Sequence, residues 1–127
     1  MRALFIFFLC LCSTVLHAQN GRVETLDAKA FDAKMKHIRH TLFDLRNAEE
    51  FSKEHIEGAL QLSWPGKDAE IFLDKLKKYE PVYVYCENGQ ISERFARYLI
   101  DRHFSNVVFL TGGFEAWQKA GLSTKIP

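Results

Sequence analysis

A short run of β-branched and aromatic residues, Val82–Tyr85, constrains the fold more than any other segment. Pro81 precedes the run and Cys86 follows it, and no charged residue interrupts it. This composition predicts a strand that is buried on both faces of a sheet. The next segment, Ser92–Arg102, carries apolar residues at helical spacing and predicts an amphipathic helix. A doubly buried strand that leads into a helix is typical of a parallel sheet covered by helices.

The same alternation of short apolar runs and helical segments extends along the rest of the chain. Further strands are predicted at Val23–Leu26, Thr41–Leu45, Ala59–Leu62 and Val107–Leu110. Further helices are predicted from an N-cap at Asp27 to Ile38, and at Ala48–Phe51, Asp68–Lys78 and Phe114–Lys119. In the helix Asp68–Lys78, the predicted apolar face consists of Ile71, Phe72 and Leu76. We therefore expect one α/β domain over residues 22–127, a parallel central sheet with helices on both faces.

The N-terminus has the pattern of a secretory signal peptide. Arg2 precedes an unbroken apolar run, Ala3–Cys12, and the small residue Ala18 precedes Gln19. The pattern predicts a signal peptide over residues 1–18, cleaved after Ala18, and a periplasmic or secreted protein. The alternative is a retained membrane anchor, since no charge lies between Ala3 and Gly21. Contact with a membrane is expected only in that case.

Composition restricts the partners and the redox chemistry. The 17 basic and 16 acidic residues give a net charge of +1, which argues against nucleic-acid binding. Cleavage would remove Cys10 and Cys12, so that Cys86 remains as the one cysteine and no disulfide framework is expected. The sequence contains no cluster of metal ligands and no phosphate-binding Gly-Lys loop, so we expect no metal and no cofactor.

Cys86 lies where ligands bind in open α/β sheets, at the carboxyl end of a predicted strand. The loop to the next helix consists of Glu87, Asn88, Gly89, Gln90, Ile91 and Ser92. Such a loop directs backbone amides to one point near the positive end of the helix dipole, which favours a nucleophilic thiolate. Ser92 is expected to cap the helix and to donate a hydrogen bond to a bound anion. The alternative is a buried structural cysteine without chemistry.

Four segments, in order, resemble rhodanese-like domains. CENGQIS, which begins at Cys86, resembles the active-site loop Cys-x-x-Gly-x-x-Ser of that family. The other three are LFDLRNAEEF (Leu42–Phe51), HIEGALQL (His55–Leu62) and VVFLTGGFEAWQKAG (Val107–Gly121). They resemble the family's Asp-x-Arg, His-Ile-x-Gly-Ala and Leu-x-Gly-Gly-x-x-x-Trp segments. Together they span nearly the whole of the predicted mature chain.

The resemblance implies a single-domain sulfurtransferase in which Cys86 accepts sulfane sulfur as a persulfide. Glu87–Ser92 would form the amide cradle for the substrate. The implied partners are a persulfide or thiosulfate donor and a thiol or cyanide-like acceptor, which includes a thiol-bearing protein. Asp44 and Arg46 either support the site from the neighbouring strand or form a buried pair between two loops.

The loop also departs from the family pattern. Active members often carry Arg or Lys just before the serine, and here that residue is Ile91, while the residue after Cys86 is the acid Glu87. A carboxylate about 7 Å away, at an effective dielectric constant of about 40, disfavours each unit of negative substrate charge by roughly 1 kcal/mol. We therefore expect a persulfide donor rather than dianionic thiosulfate. The alternative is a non-catalytic module that binds a protein partner or a small anion.

Overall fold

The computed structural model describes residues 21–127, in which strands and helices alternate. The strands are β1 (Arg22–Leu26), β2 (Thr41–Asp44), β3 (Leu60–Gln61), β4 (Val82–Tyr85) and β5 (Asn106–Leu110). The helices are α1 (Ala28–Met35), α2 (Ala48–Lys53), α3 (Lys67–Asp74), α4 (Gln90–Asp101) and α5 (Gly113–Lys119). The predicted signal peptide, residues 1–18, lies outside the described residues.

The five strands form one parallel sheet in the order β1-β5-β4-β2-β3. The central strand β4 pairs with β2 on one side and with β5 on the other. Its last residue, Tyr85, lies directly opposite Asp44, the last residue of β2. The segments that follow Asp44 and Tyr85 therefore leave the sheet side by side, which brings the Arg46 region next to the Cys86 loop.

Helices cover both faces of the sheet, and β4 contributes side chains to both resulting cores. Val82 and Val84 belong to an apolar cluster with side chains of α3 and α4. Tyr83 and Tyr85 belong to the opposite cluster, with side chains of α1 and α5 that include Trp117. All four residues of β4 are at most 2% exposed, as expected for a strand covered on both faces. The predicted α/β class and its covered parallel sheet are confirmed.

Each predicted helix differs from the observed one at one or both ends, and the differences at α1 and α4 change the neighbouring loops. Helix α1 ends at Met35 rather than at Ile38, with a C-cap at Lys36. Helix α4 begins at Gln90, two residues before the predicted start, because Gly89 takes the N-cap position with φ +95°. Glycine adopts this left-handed conformation without a steric penalty, whereas other residues are strained in it.

Helix α3 is shorter than predicted, and it buries a different face. It ends at Asp74, and its buried residues are Ala69 and Leu73. The predicted apolar face was wrong for Ile71, which is 48% exposed, while Phe72 is 39% exposed and packs its ring against that of Phe43 on β2. Ala69 and Leu73 are four residues apart, so they share the side that packs against the sheet.

The described residues contain no helix that is both long enough and apolar enough to cross a membrane.

Candidate active site

The Cys86 loop begins immediately after β4 and places its sulfur against the start of α4. The thiol is free, and Cys86 is only 2% exposed. Its Sγ accepts a hydrogen bond from the backbone N–H of Gly89 at 3.1 Å. The positive end of the α4 dipole faces the same loop. Both interactions stabilise negative charge on the sulfur.

The turn between β5 and α5 holds the Cys86 loop in place. The N–H of Phe114 donates to the carbonyl of Cys86 at 2.8 Å, and the N–H of Glu115 donates to the carbonyl of Glu87 at 3.2 Å. Gly113 allows this approach, since a Cβ atom on it would lie 2.4 Å from the Cys86 oxygen. The turn between β5 and α5 is therefore in direct contact with the Cys86 loop.

These contacts leave a group of backbone amides available in the loop. Within residues 21–127, the amides of Glu87, Asn88, Ile91 and Ser92 have no hydrogen-bond acceptor. The first amides of a helix normally have no partner within the helix, and here the loop adds two more next to a cysteine. The arrangement is suited to binding an anion, as expected from the sequence.

A cavity of about 420 Å³ opens beside the cysteine. It is lined by Leu45, Arg46, Asn47, Glu50, Cys86, Glu87 and Ile91. Four of these residues, Arg46, Cys86, Glu87 and Ile91, were site candidates from the sequence. Asn88, Gly89 and Gln90 instead line a separate cavity on the other side of the loop, with Thr111 and Gly112.

Sequence reasoning missed Leu45, Asn47 and Glu50, which reach the cavity from the end of β2 and the start of α2. The side chain of Asn47 caps α2 by accepting from the N–H of Glu50 at 2.8 Å. The parallel register of β2 with β4 was the available signal, because it brings the segment after Asp44 next to the Cys86 loop.

Arg46 is a buried cation that joins the site to the surrounding loops. Its Nε and Nη2 donate to the carboxylate of Asp44 at 2.8–3.2 Å, and its Nη2 also donates to the carbonyl of Glu54 at 2.6 Å. The guanidinium carbon lies 3.9 Å from the centre of the Phe114 ring. Burial lowers the pKa of Arg46, but the hydrogen bonds and the charge of Asp44 outweigh it, so that the net shift is upward. Of the two alternatives for Asp44 and Arg46, the structure combines both: the pair joins two loops, and Arg46 also lines the cavity.

The Cys86 loop has no cation of its own, but Arg46, in the segment that follows β2, lies beside it. Arg46 Nη1 lies 3.8 Å from Oε2 of Glu87. The sequence-based estimate treated Glu87 as having no cation nearby, which was wrong; Asp44 already balances the charge of Arg46, however, so the three side chains together still carry one net negative charge. The parallel register explains the difference, since Arg46 is distant from Glu87 along the chain but adjacent across the sheet.

Ser92 does not cap α4, contrary to the expectation. It is the third residue of the helix and is fully buried, and the N-cap is Gly89 without a side-chain hydrogen bond. Its hydroxyl has no hydrogen-bond partner among the described residues. A buried hydroxyl without a partner is destabilising, and it remains available to a ligand that reaches it.

His55 does not line the cavity; it packs against α2 and pairs through its backbone with Lys125. Its ring stacks on Phe51 with the centres 3.9 Å apart, and its Nδ1 lies 2.8 Å from the Phe51 carbonyl.

No group of three or more His, Cys, Asp or Glu residues in the described part of the chain is arranged to hold a metal ion.

Comparisons with known proteins agree with this geometry. The family profile "Rhodanese-like domain" matches residues 27–120. The thiosulfate sulfurtransferase GlpE of Vibrio cholerae is 32% identical over 97 residues, which cover 76% of this chain and 90% of that protein. The protein of the same name from Coxiella burnetii is 37% identical over 75 residues, which cover 59% of this chain and 68% of the relative.

Solved structures show the same fold. The rhodanese-like domain of an Anabaena protein, solved by NMR, matches with a TM-score of 0.70 at 24% identity, covering 81% of this chain and 79% of that one. A rhodanese-like domain protein from Staphylococcus aureus matches with a TM-score of 0.68 at 23% identity, covering 82% of this chain and 98% of that one. The chain belongs to the rhodanese-like domain family and is a sulfurtransferase of that family.

Proposed function

We propose that the protein carries sulfane sulfur as a persulfide on Cys86, between a persulfide or thiosulfate donor and a thiol or cyanide-like acceptor. The observation that carries the proposal is the position of Sγ, which accepts from Gly89 N–H at 3.1 Å and lines a cavity of about 420 Å³. The names of two relatives, thiosulfate sulfurtransferases, support the same class of donor.

The first half-reaction is an attack of the Cys86 thiolate on the outer sulfur of the donor. A new S–S bond forms at Sγ, the S–S bond of the donor breaks, and the leaving thiolate or sulfite departs with the electron pair. The free amides of the loop are available to bind negative charge on the transferred sulfur. Hydrogen bonds to a charged group are worth about 1.5–3 kcal/mol each, so even one or two would lower the barrier substantially.

The second half-reaction reverses the bond changes with a different partner. The acceptor attacks the outer sulfur of the Cys86 persulfide, and the S–S bond to Sγ breaks. Its electron pair returns to Sγ as the thiolate, and the acceptor leaves with one additional sulfur. No oxidant or reductant is consumed over the cycle.

Replacement of the nucleophile tests this role. We expect Cys86→Ser to abolish sulfur transfer from thiosulfate or a persulfide to cyanide, while thermal unfolding shows an intact fold. Serine is close in size to the buried cysteine, so little repacking is needed. An undiminished rate in the folded variant would contradict the proposal. A folded wild-type protein that takes sulfur from neither donor would favour the non-catalytic binding module.

We further propose that the protein acts in the periplasm or outside the cell, on the basis of the apolar run Ala3–Cys12 and the small residue Ala18. The test is the N-terminal residue of the protein recovered from the extracytoplasmic fraction. A protein beginning at Gln19 supports export with cleavage, whereas full-length protein confined to the cytoplasm contradicts it.

A further inference from the structure

Among the charged groups around the cavity, the carboxylate of Glu87 is the one that directly follows the reacting cysteine. Asp44 balances Arg46 through hydrogen bonds at 2.8–3.2 Å. Glu50 lies at the exposed rim, where it shares Lys53 with Glu49, at 3.7 Å and 3.5 Å from the ammonium. The remaining charge in the lining is that of Glu87, whose side chain is 49% exposed and follows Cys86 directly.

Glu87 also occupies the position at which an anionic ligand would meet Arg46. Two guanidinium nitrogens of Arg46 are held by Asp44 and by the carbonyl of Glu54. The third, Nη1, has no hydrogen-bond acceptor among the described residues and faces the Glu87 carboxylate at 3.8 Å. A guanidinium binds carboxylate and sulfonate groups alike, so Glu87 acts as a built-in competitor for such groups.

We propose that Glu87 selects the substrates of the site by the charge next to their reacting sulfur. Thiols and persulfides with an ammonium or an uncharged group beside the sulfur are accepted, and those with a sulfonate or carboxylate are disfavoured. This inference rests on the proposed persulfide chemistry of Cys86, and it adds the substrate class. For a charge about 7 Å from the carboxylate, at an effective dielectric constant of about 40, Coulomb's law predicts about a seven-fold effect for each unit of charge.

The test uses three acceptor thiols that share a two-carbon chain and differ in charge. They are 2-aminoethanethiol, 2-mercaptoethanol and 2-mercaptoethanesulfonate, with terminal charges of about +1, 0 and −1 at neutral pH. Cys86 is first loaded with sulfur from glutathione persulfide, and the second-order rate of sulfur release to each thiol is measured in a single turnover. In each step the thiolate takes the outer sulfur and the electron pair returns to Cys86.

Wild type is compared with Glu87→Gln and with the control Glu49→Gln. Glu49 is 79% exposed on α2 and does not line the cavity, so the control removes the same charge from a nearby surface. For each thiol, the ratio of variant to wild-type rates cancels the intrinsic reactivity of that thiol. Relative to 2-mercaptoethanol, we expect Glu87→Gln to slow 2-aminoethanethiol and to accelerate 2-mercaptoethanesulfonate, each by about seven-fold. Glu49→Gln should change these ratios by less than about two-fold, since exposed charges are screened.

The outcomes separate this inference from the function on which it rests. If Cys86 takes up sulfur but Glu87→Gln changes the three rates by one common factor, the charge selection is overturned while the persulfide function stands. Equal changes of the ratios in Glu49→Gln would also overturn it, because net charge alone would then explain the effect. If wild-type Cys86 takes up no sulfur, the proposed function fails and this inference fails with it.

Discussion

Two neighbouring strands end in similar turns that serve different purposes. Strand β4 leads through Cys86–Gly89 into α4, and β5 leads through Thr111 and Gly112 into α5. In both turns the N-cap is a glycine in the left-handed region, with φ +95° at Gly89 and +74° at Gly112, and neither helix has a side-chain cap. The two turns are in contact, since a Cβ atom on Gly89 would lie 3.2 Å from the N atom of Gly112.

The difference lies in the partners of their backbone groups. The turn after β5 uses the amides of Phe114 and Glu115 to bind the carbonyls of Cys86 and Glu87. The turn after β4 has two of its carbonyls bound in this way and keeps the amides of Glu87 and Asn88 available. One turn therefore supports the other, whose amides stay available for the proposed substrate. The Cys86 loop is therefore held in position by the turn after β5, which has no reactive side chain of its own.

The largest effect is expected from a methyl group placed between the two turns. In Gly113→Ala, the new Cβ atom would meet the Cys86 oxygen at 2.4 Å and the Glu87 carbonyl at 2.6 Å, at a φ of +62°. The combined strain and overpacking should lower the free energy of unfolding by about 2–5 kcal/mol. Sulfur uptake by the folded fraction should fall, since the loop must move. Chemical denaturation and single-turnover loading measure the two effects.

Gly121→Ala is the matched control for this change. Gly121 also has a positive φ, +69°, but a Cβ atom placed on it would meet no described atom within 4 Å apart from its own chain neighbours. The expected loss is about 1–2 kcal/mol, from backbone strain alone, without an effect on sulfur uptake. If Gly113→Ala is as mild as this control in both measurements, the second turn does not support the first.

The contrast between the turns also shows what the sequence predicts and what it leaves out. Both ends of β4 were predicted from composition alone, because a strand buried on both faces is a continuous apolar run that stops at the first turn residues. The N-cap Asp27 was also predicted, since its carboxylate accepts from a neighbouring amide, that of Ala30. Both features are local in the chain.

Two of the features that the sequence did not predict are contacts between segments at neighbouring strand ends. The pairing of Arg46 with Glu87 joins the segments that follow two neighbouring strands, and the contact of Gly113 with the Cys86 carbonyl joins two turns. The capping prediction for Ser92 failed because Gly89 starts the helix three residues earlier. The first two follow from strand ends that lie side by side in the sheet, whereas the third follows from the local conformation of Gly89.

A smaller effect is expected at an aromatic contact between β4 and α5. Tyr85 ends β4 and stacks on Phe114 at the start of α5, with ring centres 5.9 Å apart. Burial, followed by the charge of Asp44, raises the pKa of Tyr85 well above its usual value of 10. Above pH 10, the unfolded chain loses this proton while the folded chain keeps it. The stabilisation is therefore complete below about pH 10 and is lost as the pH rises further, by up to about 1.4 kcal/mol per pH unit.

Tyr85→Phe isolates this contribution. At neutral pH the variant should lose about 1 kcal/mol, because the N–H of Ile56 no longer has the tyrosine oxygen as its acceptor. Between pH 10 and 11 its stability should fall less steeply than that of the wild type, as followed by urea denaturation. Parallel pH profiles for the two proteins would show that Tyr85 does not carry the dependence.

The smallest effect is expected from the hydroxyl of Ser92, in the first turn of α4, whose amide is one of those without an acceptor. Since this buried group has no partner among the described residues, Ser92→Ala should leave stability unchanged or raise it by up to about 1 kcal/mol. Thermal unfolding measures the change. A loss of more than about 1 kcal/mol in the free energy of unfolding would mean that the hydroxyl has a structural partner and is not available to a ligand.

The persulfide role of Cys86 is tested most directly by the intact mass of the protein after exposure to thiosulfate or to glutathione persulfide. We predict the addition of a single sulfur atom to the wild type, removable by cyanide or excess thiol, and no addition to Cys86→Ser. Folded wild-type protein that gains no sulfur from either donor would contradict the account.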